Sequence, residues 1–316
     1  MELRVVFMGT PEFAAPTLQS LISSSYRVLA VYTQPDKRGG RGQQLILPPV
    51  KKLARDFIIP VVQPETLNTA EALNELAAFS PELIVVAAYG RILPPNVLSL
   101  PKFACLNVHP SLLPRHRGPS PIAASILCGD EVTGVTIMLM GAGVDNGPIL
   151  AQREVAISPQ DTTGSLTSKL AQLGAELLLG TLPLWIEGKI KPKPQDESRA
   201  TFSKILTKED SEIDWKLPAV ELCRRIRAFN PWPGCYTRWK GKRLKVCEAV
   251  PLSGGGEVGK VMTIKEPGPT TIGVVTGMGI LGLCRVQLEG RREMSAADFI
   301  RGQRDFVGSV LASTLT

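Results

Sequence analysis

Val5-Val6-Phe7-Met8-Gly9-Thr10-Pro11-Glu12 is the stretch on which the fold turns. The four apolar residues read as a first strand. Gly9 gives the turn, Thr10 is placed to cap a helix, Pro11 suits its first position, and Glu12 complements the positive end of the helix dipole. Phe13, Leu18, Leu21 and Ile22 then supply an inner helical face. A strand running through a tight turn into a helix is the opening of a β-α-β unit.

The same alternation continues outward. Strands are expected at 28–32, at the continuous apolar run 83–88, at 106–108 and at 135–140. Together they imply an α/β fold, with a buried, open parallel sheet whose ligands sit beyond the carboxyl ends of the strands. A helix over about 164–187 carries Leu166, Leu170, Leu173 and Leu177 at three- and four-residue spacing and should pack on that sheet. Lys189-Ile190-Lys191-Pro192-Lys193-Pro194-Gln195 alternates basic residues and prolines, which favours an extended connector and marks a domain boundary.

Beyond the connector, short alternating strands at 236–239, 244–249, 271–275 and 281–288 are separated by glycine turns, the texture of a small β-barrel. Residues 294–300 read as a short terminal helix capped by Ser295. A length of 316 residues with 44% hydrophobic residues, 21% charged residues and a mean hydropathy of +0.09 suits one large and one smaller core.

Composition excludes several classes. No apolar stretch approaches the roughly 20 residues of a membrane span, and residues 1–6 carry Glu2 and Arg4 where a signal peptide would build its apolar segment, so a cytoplasmic protein is expected. The six cysteines stand singly and only two histidines are present, which argues against a structural metal site and for reduced thiols. Residues 1–203 hold 18 basic and 17 acidic side chains, whereas 204–316 hold 18 and 12. That surplus suits a polyanionic partner, although the same excess also serves solubility.

Three loops concentrate the chemistry. In Cys105-Leu106-Asn107-Val108-His109-Pro110 an extended segment ends at a proline, and period-2 geometry puts Asn107 and His109 on one side of the strand. An amide N–H and an imidazolium N–H can both donate to a carbonyl oxygen that gathers negative charge under attack. An Asn and a His that merely hold the following turn would give the same pattern. Gly141-Ala142-Gly143-Val144-Asp145-Asn146-Gly147-Pro148 sets one carboxylate among three glycines, where it favours the imidazolium or relays protons, or serves as a turn aspartate bonded to its own backbone. Gln34-Pro35-Asp36-Lys37-Arg38-Gly39-Gly40-Arg41-Gly42-Gln43 joins three basic side chains to three glycines, a mobile loop with phosphate affinity. It lacks the P-loop order, and no Gly-x-Gly-x-x-Gly follows the first strand, so nucleotide hydrolysis and dinucleotide redox chemistry have little support.

Taken together, FMGTPEFA, QPDKRGGRG, AAYGRILP, LNVHPSLLPRHRGPSPI, GVDNGPIL, FNPWPG (229–234) and AADFIRGQR are collinear with the methionyl-tRNA formyltransferases, a branch of the folate-dependent formyltransferases, and the chain resembles that family over nearly its whole length. The resemblance implies a Rossmann-like formyltransferase domain over 1–188 that binds 10-formyltetrahydrofolate, a connector over 189–206, and an OB-like tRNA-binding β-barrel over 207–316. It implies transfer of the formyl group to the α-amine of methionyl initiator tRNA. Separately, a monomer is expected, and no metal requirement is visible for the chemistry. Asn107, His109 and Asp145 fall on the family's catalytic positions. Ser111, Leu112, Leu113 and Pro114 fall on its folate-binding signature, and Arg91, Ile92 and Leu93 on the pterin pocket. Lys37, Arg38 and Arg41 fall on the insertion that contacts the tRNA acceptor end. Gly141 and His116 depart from the acidic and aromatic residues expected there, with small expected effects.

The Asn-x-His…Asp set is shared with formyltransferases of small amines, so it marks the reaction rather than the substrate. The basic loop, FNPWPG and the basic second domain favour tRNA over a nucleotide sugar or glycinamide ribonucleotide. A non-catalytic RNA-binding protein and a hydrolase releasing formate are the remaining alternatives.

Overall fold

The computed structural model describes residues 2–39, 44–265 and 268–312, and the chain divides into two compact units. One comprises Met1–Pro121, Glu131–Ala156 and Leu166–Lys204; the other comprises Ile122–Asp130, Ile157–Ser165 and Ile205–Thr316.

The first unit begins with β1 (Arg4–Gly9), α1 (Ala15–Ile22) and β2 (Arg27–Tyr32). A hairpin pair, β3 (Lys37–Gly39) and β4 (Gln44–Ile46), precedes α2 (Pro49–Asp56), β5 (Val61–Val62) and α3 (Ala70–Ala78). Next come β6 (Leu83–Ala87), α4 (Pro95–Leu98) and β7 (Cys105–His109). After α5 (Pro121–Cys128), most of which clusters with the second unit, follow β8 (Val132–Leu139), β9 (Ile149–Ala156) and α6 (Thr163–Ile186). The seven strands run in the order β5-β2-β1-β6-β7-β8-β9. The first five are parallel, as the buried apolar runs imply, but β8 and β9 run antiparallel at one edge. The short loop joining them, closed by the Leu139 N–H donating to the Pro148 carbonyl at 2.9 Å, allows only a hairpin pairing.

Thr10 does not cap a helix. A 3-10 turn over Glu12–Ala14 precedes α1, and Pro11, which has no side-chain acceptor, stands at its N-terminal boundary. The Thr10 hydroxyl instead donates to the Tyr89 carbonyl at 3.2 Å and accepts from the Gln34 N–H at 3.1 Å. Three neighbouring loops are thereby tied at the carboxyl end of the sheet, a tertiary use of a hydroxyl that local spacing cannot show.

The strand bearing Asn107 and His109 is fixed from its opposite face. Gly174 of α6 lies so close to the sheet that a Cβ there would stand 2.7 Å from Val108 Cγ1. Leu166, Leu170, Leu178 and Leu182 of the same helix are buried. With Val108 covered by α6, period 2 turns its two polar neighbours to the other side.

The segment after α6 does not run free. Lys193 exchanges both backbone hydrogen bonds with Ile149, at 2.8 and 2.9 Å, while the flanking Pro192 and Pro194 have no N–H to offer. Phe202 then pairs with Arg117 in parallel register. Residues up to Lys204 therefore cluster with the first unit, although the proline-lysine texture alone suggests a connector.

In the second unit α7 (Ala219–Ala228) precedes β10 (Cys235–Trp239), β11 (Lys242–Leu252), β12 (Val261–Thr263), β13 (Ile272–Val275), β14 (Ile280–Leu288), β15 (Met294–Ser295) and α8 (Ala296–Gly302). The strands pair antiparallel in the order β10-β11-β14-β13-β12, with β15 on β14, forming a curled, OB-like half-barrel. Trp239, Phe299 and Phe306 meet edge to face at 5.1 to 5.7 Å, locking α8 and the following turn onto β10. Ser295 caps α8 by accepting the Asp298 N–H at 3.0 Å, as its position predicts. Helix α7 is not evident from the sequence, its short apolar face of Leu222, Cys223 and Ile226 being hidden among arginines.

Candidate active site

β7 ends at His109, and the glycine-rich loop after β8 brings Asp145 to it. Asn107 Nδ2 donates to Asp145 Oδ1 at 3.3 Å, and His109 Nδ1 lies 3.6 Å from Asp145 Oδ2. The Gly118 N–H also donates to Oδ2, at 2.8 Å. The three residues singled out from the sequence, 38 positions apart at their widest, thus form one constellation.

The loop holds this pose at some cost. Asp145 adopts φ +46°, a left-handed conformation that disfavours L-residues and persists only where the surroundings fix it. Gly147 permits the loop to double back, since a Cβ there would stand 1.8 Å from the Leu139 carbonyl oxygen. Gly141 carries no such demand: a Cβ there meets only Asn146 Oδ1 at 3.5 Å, so its departure from an acidic residue reflects no backbone requirement.

His109 is buried, at 4% exposure, and its Nε2 lies 3.1 Å from the carbonyl oxygen of His116. A carbonyl can only accept, so Nε2 carries the hydrogen and Nδ1 is the position that gains or loses the second proton. Burial pushes the His109 pKa below the ordinary histidine value; the Asp145 carboxylate and the His116 carbonyl pull it up, and the charge of His116 pushes it further down. Desolvation is the largest of these effects, and Nδ1, 3.6 Å from the carboxylate, is where the second proton is exchanged.

His116 itself is buried, with φ +57°, and its backbone carbonyl accepts from His109 Nε2. Its neighbour Arg117, 2% exposed, sends Nε and one terminal nitrogen to Gln195 Oε1, at 3.1 and 2.8 Å, and forms a bidentate pair with Glu197 at 2.7 and 2.8 Å. Gln195 Nε2 in turn donates to the carbonyls of Asp145 and Gly147, at 2.8 and 2.7 Å. None of Arg117, Gly118 and Gln195 was singled out from the sequence. The first two lie within the quoted RHRGPSPI run, which was the available signal, whereas Gln195 sits in a segment legible only as proline-rich spacing.

The remaining candidates fall into two further places. Ser111, Leu112, Leu113 and Pro114 make the turn after His109: Ser111 and Leu113 are buried, Ser111 Oγ donates to the Arg115 carbonyl at 2.6 Å, and Thr136 Oγ1 accepts the Leu113 N–H at 3.1 Å while donating to the Ser111 carbonyl at 2.6 Å. Arg91, Ile92 and Leu93 follow β6, the parallel neighbour of β7, so their loop leaves the same end of the sheet. There Ile92 is 81% exposed, Leu93 is buried, and Arg91 Nε is buried without a hydrogen-bond partner.

Lys37 and Arg38 lie on β3, with Lys37 exposed, and Arg41 falls outside the described residues. The base of that hairpin is pinned by buried Lys51, whose Nζ donates to both Asp36 carboxylate oxygens, at 2.7 and 2.8 Å, and to Gln63 Oε1 at 2.6 Å. The Lys51 bonds to Asp36, with a further one from Gln63 Nε2 to Oδ1 at 3.0 Å, hold the Asp36 carboxyl below its ordinary pKa. Among the described residues no helix is long and apolar enough to cross a membrane, and no cluster of three or more His, Cys, Asp or Glu side chains could hold a metal ion.

The family described as formyl transferase matches residues 3–182, and its C-terminal domain matches residues 205–304. The methionyl-tRNA formyltransferase of Chloroflexus aurantiacus is 46% identical over 300 residues, covering 95% of this chain and 97% of that protein. That of Myxococcus xanthus is 47% identical over 306 residues, covering 97% of each. Among solved structures, HypX from Aquifex aeolicus in complex with tetrahydrofolic acid aligns at a TM-score of 0.60 with 18% identity, over 95% of this chain and 47% of that one, a likeness of fold.

Proposed function

Because the chain belongs to the methionyl-tRNA formyltransferase family, an enzyme family that moves a formyl group from a folate-derived donor to the amine of methionyl initiator tRNA, we propose that Asn107, His109 and Asp145 carry this transfer and that 10-formyltetrahydrofolate is the donor. The observation that supports the assignment above all others is the convergence of Asn107 Nδ2 and His109 Nδ1 on the two oxygens of one carboxylate at the end of β7.

The roles follow from donors and acceptors. Asn107 has two amide hydrogens; one holds Asp145, and the other donates to the formyl oxygen as negative charge gathers there. The neutral Nδ1 of His109 takes the proton released by the attacking amine, directly or through water. The ring becomes an imidazolium beside Asp145, and the oxyanion gains a cation when its charge is greatest. The same proton passes to the nitrogen of the departing donor, which restores neutral His109 for the next turnover. Asp145 raises the proton affinity of Nδ1 against the burial that lowers it. No step requires a metal.

Donor binding is assigned to Arg91, Ile92 and Leu93 together with the turn Ser111, Leu112, Leu113 and Pro114, which flank the ends of β6 and β7. The buried, unpartnered Arg91 Nε is a polar group left for a ligand to satisfy. Lys37, Arg38 and Arg41 are assigned to the phosphates of the tRNA acceptor end. We take the acting species to be a monomer and its compartment the cytoplasm, with residues 1–188 as the formyltransferase domain and 207–316 as the tRNA-binding domain.

The test is transfer of labelled formyl from 10-formyltetrahydrofolate to charged methionyl initiator tRNA, run beside elongator methionyl-tRNA and a control without acceptor. Uptake on the initiator alone supports the reading. Uptake on none of the tRNAs redirects it to a small amine, and formate released without acceptor redirects it to a hydrolase.

A further inference from the structure

Gln195 and Arg117 occupy a place in the first unit that the roles above leave unused. The orientation of the Gln195 amide is determined by its partners. Arg117 has only donors, so the oxygen must face it; Asp145 and Gly147 present carbonyls, so the nitrogen must face them, and both of its hydrogens are then engaged. Arg117 is in turn locked by Glu197 and by backbone pairing with Thr201 and Ser203, at 2.9 and 2.7 Å. The residue before Arg117 is His116, whose carbonyl fixes the His109 ring, and the residue after it is Gly118, whose N–H holds the Asp145 carboxylate. Arg117 thus stands in the chain between the two residues whose backbone groups orient the imidazole and the carboxylate. Through Gln195 it also reaches the carbonyl of the left-handed Asp145 itself.

We propose that Gln195, clamped by Arg117, is a positioning residue for formyl transfer, holding the Asp145 backbone so that its carboxylate meets His109 Nδ1 and Asn107 together. The proposal rests on the assignment of Asp145 and His109 to the reaction. A left-handed aspartate has lower-energy conformations nearby, and the two Gln195 bonds are what close them off. Misplacing a reacting group by about 1 Å costs up to a hundredfold in rate, so partial loosening is expected to cost roughly tenfold.

The experiment uses the full chain and compares Gln195→Met and Gln195→Glu with Asp145→Asn. Gln195→Met keeps the bulk and loses both functions. Gln195→Glu keeps the contact with Arg117 but turns an oxygen toward the carbonyls of Asp145 and Gly147. Folding is checked by circular dichroism, kcat and KM are measured for both substrates, and His109 is titrated by nuclear magnetic resonance, which two histidines in the chain make readily assignable. Asp145 and His116 are the titratable groups whose charges act on His109.

The expected result is a roughly tenfold loss of kcat in both Gln195 variants, KM values within about twofold of wild type, and a His109 titration moved to lower pH because the Asp145 carboxylate is held less closely. Asp145→Asn should show the larger loss and the larger shift. Wild-type kcat with an unmoved titration in either folded Gln195 variant, beside an impaired Asp145→Asn, overturns the positioning role while leaving the catalytic assignment intact. Wild-type turnover in Asp145→Asn overturns both.

Discussion

His109 donates its Nε2 hydrogen to the carbonyl oxygen of His116 at 3.1 Å, and this one bond decides which ring nitrogen does chemistry. Nδ1 is left toward Asp145 Oδ2 at 3.6 Å, where the second proton is exchanged beside a carboxylate that favours it and a burial that opposes it.

The depressed pKa of His109 links stability to pH. The unfolded chain protonates this histidine below about pH 6.5 whereas the folded one resists. Its contribution is fully present above that value and lost as pH falls through the lower folded pKa. Relative to His109→Gln, wild-type unfolding free energy should decline with acidification by up to about 1.4 kcal/mol per pH unit. Urea unfolding of both proteins from about pH 8 to about pH 5, on either side of the ordinary histidine value, measures it; a difference that stays constant across that range rejects the neutral buried ring.

Removing the Asn107 amide should take away one hydrogen bond made to the transition state. Asn107→Ala is expected to lower kcat by about a hundred- to a thousandfold with the donor still bound. Single-turnover transfer and donor titration separate these quantities. An increase in donor KM at unchanged kcat would assign Asn107 to binding instead.

A methyl group at position 147 cannot be accommodated by a side-chain adjustment, because its neighbour is backbone at 1.8 Å. Gly147→Ala should displace the loop and cost roughly a hundredfold in kcat, the scale of an approximately 1 Å misplacement of Asp145, while the rest of the sheet keeps its circular dichroism. Gly141→Ala, with only an ordinary contact at 3.5 Å, serves as the control and should retain near wild-type turnover.

Lys51 anchors the hairpin whose cations are assigned to tRNA. Lys51→Met should raise the tRNA KM by roughly tenfold, the scale of a charge-assisted hydrogen bond, and leave the donor KM unchanged. Arg41→Ala should flatten the dependence of log affinity on log salt by about one unit. Equal effects on both substrates in Lys51→Met would point to a general loss of fold.

Much of the protein is legible in its amino-acid order. The apolar runs at β1, β2 and β6 locate the sheet because a strand covered on both faces needs uninterrupted apolar residues. Alternation puts Asn107 and His109 on one side because side chains along a strand repeat every two residues. The capping of α8 by Ser295 is likewise local. Helix α7 escapes such a reading because its apolar face is short, and the antiparallel edge escapes it because strand direction depends on the connection rather than on the strand's own residues.

What the sequence by itself determined was therefore the parallel strands of the first sheet, the residue types brought to the end of β7, and the family's chemistry. Only the tertiary structure decided the state of that chemistry. The pKa of His109 is set by its burial weighed against Asp145; its tautomer by the His116 carbonyl; and Asp145 is held by Gly118 and Gln195, the latter 50 residues away. Desolvation and hydrogen-bond geometry depend on what surrounds a group in space, and spacing along the chain carries neither.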